Sequence, residues 1–259
     1  MCLLAFLHHV HRSLPLVVAA NRDELLARPA VPMTVLRSAR PRILGGRDEV
    51  AGGSWLAVNE HGVVAGVTNV PSRRRDPSRR SRGELPLALA RHATAKLAVV
   101  ALAREIRPAD YNPCWLLVGD ARTLHYVDLS GDSARIEELP PGIHILENRP
   151  LGARSPKVDR VRERLAGRPS AGTEALVDFL AGVLRDHRRP PKAEVPPDVA
   201  ELLPRPLATE AACVHAGPYG TRSSSVLLVR PRQRPRLWYT EGPPCRTPFL
   251  EATGLWDAS

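Results

Sequence analysis

A cysteine at position 2 is the residue of this chain whose chemistry depends most on its place in the sequence. Its small side chain permits removal of Met1, which would leave a thiol and a free α-amine on one residue. An α-amine has an unperturbed pKa of about 7.7–8, close to the value that suits a general base at neutral pH. A nucleophile that uses its own terminal amine as base is an established catalytic arrangement. The alternative is that Cys2 is an ordinary small buried hydrophobe.

Four polar residues stand at the ends of apolar runs that read as strands. They are Asp23, Asn69, Asn148 and Arg222. Around an N-terminal thiol, the acid could hold the amine, an amide could stabilise an oxyanion, and the guanidinium could orient the thiol or bind a carboxylate. Each asparagine alone is equally compatible with an ordinary turn. Together the four residues predict a catalytic site with Cys2.

The segment Asn21-Arg22-Asp23-Glu24 ends an apolar run with four polar residues, and it has two interpretations. Asn21 and Glu24 have the spacing of a capping box, so the cluster could begin a short helix that Pro29 ends. In the other interpretation these residues form the wall of a pocket around Cys2. Asn21, Arg22 and Glu24 are then candidates for substrate binding.

Six arginines lie in the segment RRRDPSRRSR, residues 73–82, of a chain with a formal net charge of +10. The segment has no aromatic residue to stack on bases and no nucleic-acid-binding signature, which argues against a DNA or RNA module. It is either a solvated loop or a landing site for an anionic substrate. In the second case Arg73, Arg74 and Arg75 are substrate-binding candidates.

Length and composition indicate one domain over residues 1–259, because 43% of the 259 residues are hydrophobic and can build a sizeable core. We expect a basic loop at 71–82 and a proline-rich excursion at 188–206. No apolar run reaches the ~20 residues of a membrane span, and no secretory signal is recognisable. The four cysteines lack the paired spacing of a zinc or redox motif. We therefore expect a cytoplasmic protein with no disulfide, no metal site and no required cofactor.

Strand patterns dominate the chain, and its helical patterns come in consecutive groups. The predicted strands are 2–7, 14–21, a hairpin over 52–69, 114–120, 124–129, 134–139, 143–148, 211–216, 221–229 and 236–241. The predicted helices are 84–106, with a break near Thr94, then 156–166 and 173–187. Short hairpin links without βαβ alternation predict an α+β fold with antiparallel sheets and helices on their faces.

Eight motifs in order give the chain a family resemblance. They are MCLLAF, AANRDE, GGSWLAVNEHGVVAGVTN, SRGELP, LLVGD, GIHILEN, PKV and YGTRSSSVLLV. From Met1 to about Glu241 the sequence resembles the NRDE family, the family of the transport-and-Golgi-organisation protein and its bacterial relatives. NRDE proteins are similar to N-terminal-nucleophile hydrolases. That resemblance implies a four-layer αββα sandwich of two antiparallel sheets between helix layers.

The resemblance extends to the cysteine members of that superfamily, the penicillin V acylase and bile salt hydrolase group. It implies the roles of five residues: Cys2 as nucleophile, Asp23 as the carboxylate near the amine, Asn69 and Asn148 as amides at the oxyanion, and Arg222 as the late active-site arginine. Those acylases carry an arginine where this chain has Ala20. Arg22, two residues further on, is not expected to replace it.

Two functions follow. The first is a cysteine hydrolase of an acyl amide or thioester, in which a neighbouring cation lowers the pKa of the Cys2 thiol. The second, implied by the family resemblance, is a carrier of haem or of acyl-coenzyme A and lipid that binds without turnover. For haem, His8, His9 and His11 could ligate iron, and the arginines could meet propionates or phosphates. The alternative for these histidines is a polar hairpin turn.

Overall fold

Two antiparallel sheets form the centre of the computed structural model, which describes residues 2–72, 75–169, 172–189 and 209–258. The strands are β1 Cys2–His11, β2 Leu14–Leu25, β3 Ala30–Arg37, β4 Ile43–Asp48, β5 Leu56–Asn59, β6 Val64–Asn69, β7 Cys114–Gly119, β8 Leu124–Asp128, β9 Arg135–Leu139, β10 Gly142–Leu146, β11 His215–Ala216, β12 Tyr219–Val229, β13 Arg236–Tyr239 and β14 Leu250–Glu251. The first sheet has the order β10-β1-β2-β12-β13-β14, with β11 paired to β12. The second runs from β3 to β9 in sequence order.

Helices cover the outer face of each sheet. They are α1 Glu84–Leu89, α2 Ala95–Glu105, α3 Pro156–Ala166 and α4 Thr173–Leu184. One apolar cluster joins α3 and α4 to the first sheet, and another joins α1 and α2 to the second. A third cluster fills the space between the two sheets. These layers are the predicted αββα sandwich, and the predicted α+β class is confirmed.

Strand β1 is apolar on both faces because both of its faces are buried. Leu4 and Phe6 point into the core between the sheets, while Leu3 and Ala5 pack on the helix side. Alternate residues of a strand face opposite sides, so a strand inside a four-layer sandwich needs a continuous apolar run. This is why a short run of consecutive apolar residues correctly predicted a strand.

A glycine lets the two sheets come close beneath the start of β1. A Cβ added to Gly66 of β6 would lie 2.8 Å from Cδ1 of Leu4 in β1. Real Cβ contacts of that length do not occur, so a side chain here would push β6 away from β1. The close approach brings the end of β6, Asn69, to the same end of the sandwich as Cys2.

Side-chain caps begin two of the helices. The Thr94 hydroxyl accepts a hydrogen bond from the backbone N–H of Leu97 at 3.2 Å, and α2 begins after it, which confirms the predicted break near Thr94. Ser155 caps α3 in the same way, with Pro156 at the first helical position. The cap places Lys157 in the first turn of α3, where it points inward and is buried.

Strand β2 extends further than predicted. It continues through Asn21-Arg22-Asp23-Glu24 to Leu25, and the capping-box interpretation is wrong. The neighbouring strand β12 pairs with β2 as far as Tyr219 opposite Leu25, so the backbone groups of the cluster are used in the sheet ladder rather than in a helix.

Other segments also depart from the predictions. Strands β3 and β4 were not predicted, because charged residues and prolines interrupt their apolar pattern. Of the predicted strand 211–216 only His215–Ala216 forms one, and the last predicted helix ends at Leu184. Most of the predicted excursion at 188–206 lies outside the described residues. Among the residues that are described, no helix has the length and apolar character needed to cross a membrane.

Candidate active site

A pocket of about 310 Å³ opens at the end of the sandwich where β1 begins and β2 ends. Four chain regions line it: the paired ends of β1 and β2, the segment from Asp48 to Trp55, the end of β6, and the basic segment. The lining residues that matter below are Cys2, Arg22, Asp23, Glu24, Arg28, Asp48, Trp55, Asn69, Arg75 and Arg82. The structure thus brings three of the five predicted catalytic residues, Cys2, Asp23 and Asn69, to one pocket.

Cys2 lies at the edge of this pocket, directly across the β1–β2 ladder from Arg22. Burial raises the pKa of the Cys2 thiol, and the negative charge of Asp23 raises it further. The charge of the terminal amine lowers this pKa, as do the Arg22 charge and the backbone N–H of Asp23, but burial has the larger effect. With Met1 in place, burial outweighs the neighbouring cations. Such a thiol needs a base to remove its proton. The lowered thiol pKa was predicted for a chain that begins at Cys2, and for that chain it stays a prediction.

Asn148 holds the backbone nitrogen of Cys2. The Cys2 N–H donates to Oδ1 of Asn148 at 3.1 Å, and Nδ2 of Asn148 donates to the carbonyl of Asn69 at 2.5 Å. This orientation of the amide satisfies both contacts, whereas the flipped amide would satisfy neither. The two predicted amides therefore occupy different places. Asn148 faces the nitrogen that would become the amine, and the exposed Asn69 lines the pocket.

Asp23 lies beneath the pocket in a fully buried polar group. Its Oδ1 accepts a hydrogen bond from the Thr221 hydroxyl at 2.6 Å, and its Oδ2 lies 3.8 Å from Nζ of Lys157. Burial raises the pKa of Asp23, and the positive charge of Lys157 partly offsets the rise. Lys157 was not predicted as a site residue, since lysines are almost never fully buried. Its presence in the motif PKV was the available signal.

Arg22 is held by two residues that the sequence analysis missed. Its Nη2 forms an ion pair with Asp48 at 3.0 Å, and its guanidinium stacks on the Trp55 ring at 4.3 Å from the centroid. Ala20 and Arg22 lie on the same face of β2, because residues two apart on a strand share a face. Arg22 therefore reaches the pocket beside Cys2. The expectation that Arg22 could not replace the missing arginine is wrong as far as its position is concerned, because positions 20 and 22 share one face of β2.

Asp48 fixes this corner of the pocket. Besides Arg22 it binds Arg28 through two hydrogen bonds of 2.7 and 2.9 Å, and it accepts the backbone N–H groups of Val50 and Ala51. Burial alone would raise the pKa of Asp48, but the hydrogen bonds from Arg28 and Ala51 hold it below its ordinary value. The carboxylate is therefore ionised at neutral pH, and its one negative charge is shared between the two arginines.

Among the described residues, three predicted site residues do not line the pocket: Asn148, which contacts the Cys2 nitrogen beside it, Arg222 and Asn21. A β-bulge between Thr221 and Ser223 interrupts the pairing of β12 with β2 at Arg222. The Arg222 guanidinium donates to the carbonyl of Leu26 instead of facing the pocket. Asn21 lies on the helix-side face of β2. Its Nδ2 donates to the carbonyls of Leu184 and Ala212. Asn21 therefore connects β2 to the end of α4 and to the segment before β11, and it does not face a ligand.

The rim of the pocket carries positive charge. Arg75 and Arg82 both line it, and Arg82 is anchored by a hydrogen bond from Nη1 to the Pro113 carbonyl at 3.2 Å. Burial lowers the pKa of Arg82, and the charge of Arg75 lowers it further, so the two guanidinium groups repel each other. Glu24 lines the same rim. Arg73 and Arg74 lie outside the described residues, so the prediction for them stays a prediction.

Comparison of the sequence with known protein families agrees with the family resemblance that the eight ordered motifs indicated. The family described as Transport and Golgi organisation 2 matches residues 1–241. The chain belongs to that family. The Transport and Golgi organization protein 2 homolog of Bos taurus is 29% identical over 231 residues, which cover 83% of this chain and 82% of the relative. The Mus musculus homolog is 26% identical over 230 residues, with the same coverage.

Comparison with solved structures shows which proteins share the fold of this Transport and Golgi organisation 2 family member. Penicillin V acylase from Agrobacterium tumefaciens matches with a TM-score of 0.55 and 11% identity, over 98% of this chain and 86% of the acylase. The Caenorhabditis elegans ortholog of N-acylethanolamine-hydrolyzing acid amidase matches with a TM-score of 0.52 and 12% identity, over 88% and 92% of the two chains. The predicted N-terminal-nucleophile hydrolase fold is confirmed.

The histidines considered as haem ligands lie at the other end of β1 from Cys2. His8 is six residues from Cys2, a distance of about 20 Å along an extended strand. His8 is buried, and burial lowers its pKa to about 4. His9 is exposed and adopts a positive φ of 51°. The structure therefore does not bring these histidines to the pocket that Cys2 lines.

A second polar cluster lies outside the pocket. Its members are His187, Cys213, His215 and Cys245, whose possible ligand atoms all lie within 4.8 Å of one another. The sequence analysis saw no metal motif, because these residues are 26, 2 and 30 positions apart. Only the fold brings them together.

Proposed function

We propose that the chain is a cysteine N-terminal-nucleophile hydrolase of an acyl amide or thioester, with Cys2 as nucleophile after removal of Met1. The observation that carries the proposal is the contact of the Cys2 nitrogen with Asn148 Oδ1 at 3.1 Å, at the edge of a pocket shared with Asp23 and Asn69. The solved structures with this fold include proteins named as an acylase and an acid amidase. Their names support this reaction class.

The proposed chemistry uses groups of this chain alone. The neutral Cys2 amine donates one hydrogen to Asn148 and takes the thiol proton with its lone pair, so the raised thiol pKa is overcome by proton transfer. The sulfur attacks the acyl carbon, and the amide of Asn69 donates to the developing oxyanion. The resulting ammonium protonates the leaving group, and a thioester to Cys2 forms. Water, deprotonated by the amine, then hydrolyses the thioester and releases the acid.

The charges of the pocket support an anionic substrate. Four arginines line the pocket, Arg22, Arg28, Arg75 and Arg82, against the carboxylates of Asp48 and Glu24. The third lining carboxylate, Asp23, faces the buried Lys157. We therefore propose an acyl compound whose carboxylate or phosphate meets the rim while the acyl carbon reaches Cys2.

The test combines mass spectrometry with a substrate panel. Intact mass should show a chain that begins at Cys2. Purified protein should hydrolyse at least one member of a panel of acyl amides and acyl-coenzyme A thioesters. The Cys2→Ala and Cys2→Ser variants should lose turnover by a factor of about 10³ or more.

Cys114→Ala is the matched control, because Cys114 is buried in the core under α1 and α2 and does not itself line the pocket. Its backbone pairs with that of Asn69 in the ladder, and the substitution leaves that pairing in place. It should retain turnover. A chain that keeps Met1, or turnover that survives Cys2→Ala, would exclude the proposed mechanism.

The positive rim also supports a second candidate, a carrier that binds acyl-coenzyme A or haem without turnover. A carrier would bind its ligand equally well in wild type and Cys2→Ala and would hydrolyse no member of the panel. Ligand titration of both proteins therefore separates the two functions. For haem, an iron ligand other than the histidines of β1 would be needed at the pocket.

A further inference from the structure

A pocket distinct from the candidate active site is lined by two cysteines and two histidines, together with Ala211, Arg189 and Arg246. It has a volume of about 480 Å³. His187 follows α4, Cys213 and His215 precede β12, and Cys245 lies in the turn after β13. Cys213 is buried, Cys245 is half-buried, and the histidines are exposed on the open side. Three distant parts of the chain thus bring two sulfur donors and two nitrogen donors close together.

Three donors of this cluster, on Cys213, His215 and Cys245, are spaced as in a tetrahedron around one ion, and the fourth, on His187, lies within 4.8 Å of each of them. The two sulfurs are 3.8 Å apart, and Nε2 of His215 lies 3.3 Å from Cys245 Sγ and 3.8 Å from Cys213 Sγ. With Zn–S bonds near 2.3 Å and Zn–N bonds near 2.0–2.1 Å, the edges of a tetrahedral site measure roughly 3.3–3.8 Å. A disulfide between the cysteines would instead need the sulfurs at about 2.05 Å.

The donor types select the ion. Two thiolates and two imidazoles in tetrahedral arrangement favour Zn²⁺ over the oxygen-binding cations Mg²⁺ and Ca²⁺. Nδ1 of His187 lies 3.2 Å from the Cys213 carbonyl. A ring N–H given to a carbonyl fixes the tautomer and leaves the other ring nitrogen with the lone pair that binds a metal.

We propose that His187, Cys213, His215 and Cys245 bind one structural Zn²⁺. Four protein ligands fill a tetrahedral site and leave no position for a substrate, so the ion serves the fold rather than the chemistry at Cys2. The ion joins the end of α4 to the segment before β12 and to the turn after β13. That segment also accepts a hydrogen bond from Asn21 of β2 through the Ala212 carbonyl, so the ion secures the chain packed against β2.

Metal analysis of the full-length protein, expressed in medium with added zinc and dialysed, tests the proposal. One equivalent of zinc per chain is expected, and the double variant Cys213→Ser/Cys245→Ser should lose nearly all of it. Cys2→Ser and His61→Asn are matched controls, since neither residue belongs to the cluster, and both should keep their zinc. Removal of zinc by a chelator should lower the Tm of the wild type by about 5 °C or more.

Cobalt gives a measurement that does not depend on the variants. Wild type freed of zinc and loaded with Co²⁺ should show the visible bands of tetrahedral Co²⁺ together with thiolate-to-cobalt charge transfer. Zinc-free wild type that also fails to bind Co²⁺, or a double variant that keeps its zinc, would overturn the proposal. So would a wild-type mass two hydrogens lighter than expected, with Cys213 and Cys245 recovered as a cross-linked peptide.

Discussion

Replacing Lys157 by methionine should destabilise the protein, because it leaves the carboxylate of Asp23 buried without its cation. Both side chains are 0% exposed, and Nζ lies 3.8 Å from Oδ2 of Asp23. Methionine has nearly the length of the lysine stem, so the substitution removes the charge with little change in packing.

The size of the effect follows from this geometry. At 3.8 Å and an effective dielectric constant of about 20, the attraction between unit charges is about 4 kcal/mol. Removal of one partner from a buried pair costs about 3–5 kcal/mol for the same reason. We therefore expect the free energy of unfolding to fall by about 3–5 kcal/mol near pH 8.

The loss should depend on pH in a defined direction. The folded-state pKa of Asp23 is already raised, so this carboxyl favours folding at low pH and loses that contribution as pH rises through its folded pKa. Lys157→Met removes the charge that limits the rise, so the folded pKa moves higher still. Protonated Asp23 needs no cation, so the difference between wild type and variant should shrink as the pH is lowered through the raised folded-state pKa of Asp23.

Urea denaturation of wild type and variants at a series of pH values measures the effect. The double variant Asp23→Asn/Lys157→Met should recover most of the stability, because an amide can still accept the Thr221 hydrogen bond. Lys96→Met is the matched control, since Lys96 is exposed on α2, and it should change stability by less than about 0.5 kcal/mol. A Lys157→Met loss that is independent of pH, or one that the double variant does not relieve, would refute the reasoning.

Two further predictions concern the pocket walls. A Cβ at Gly46 would lie 1.9 Å from the Trp55 ring, so Gly46→Ala should displace the indole that Arg22 stacks on and cost about 1–3 kcal/mol in thermal or urea unfolding. Gly131→Ala, which meets nothing within 4 Å, should cost far less, and equal losses would contradict the prediction. Arg75→Gln and Arg82→Gln should each weaken binding of an acyl-coenzyme A about two- to fivefold at low ionic strength and less at high salt. Arg12→Gln, in the exposed turn between β1 and β2, is the control for non-specific charge. Titration calorimetry that shows the same affinity for all three variants would mean that Arg75 and Arg82 do not bind the anion.

Much of the sandwich could be predicted from local pattern. Runs such as CLLAFL and SSSVLLV are apolar on consecutive residues, which is typical of strands buried on both faces. Asp23 and Asn69, the polar residues predicted at the ends of two other apolar runs, lie at the pocket end of β2 and β6. Strands β3 and β4 escaped prediction because β3 is only partly buried and β4 ends in Gly-Gly-Arg-Asp, so neither shows a clean period.

The sequence by itself determined the antiparallel layers, the family resemblance and the place of Cys2, since each depends on residues that are neighbours in the chain. Only the tertiary structure decided which side chains meet Cys2. Asp48 and Trp55 reach Arg22 across the gap between the sheets, and a bulge turns Arg222 away. Lys157 lies 134 positions from Asp23 in the sequence but 3.8 Å from it in space. Periodicity reports which face of an element is buried, but it does not report which elements pack together, and the site is made of contacts between elements.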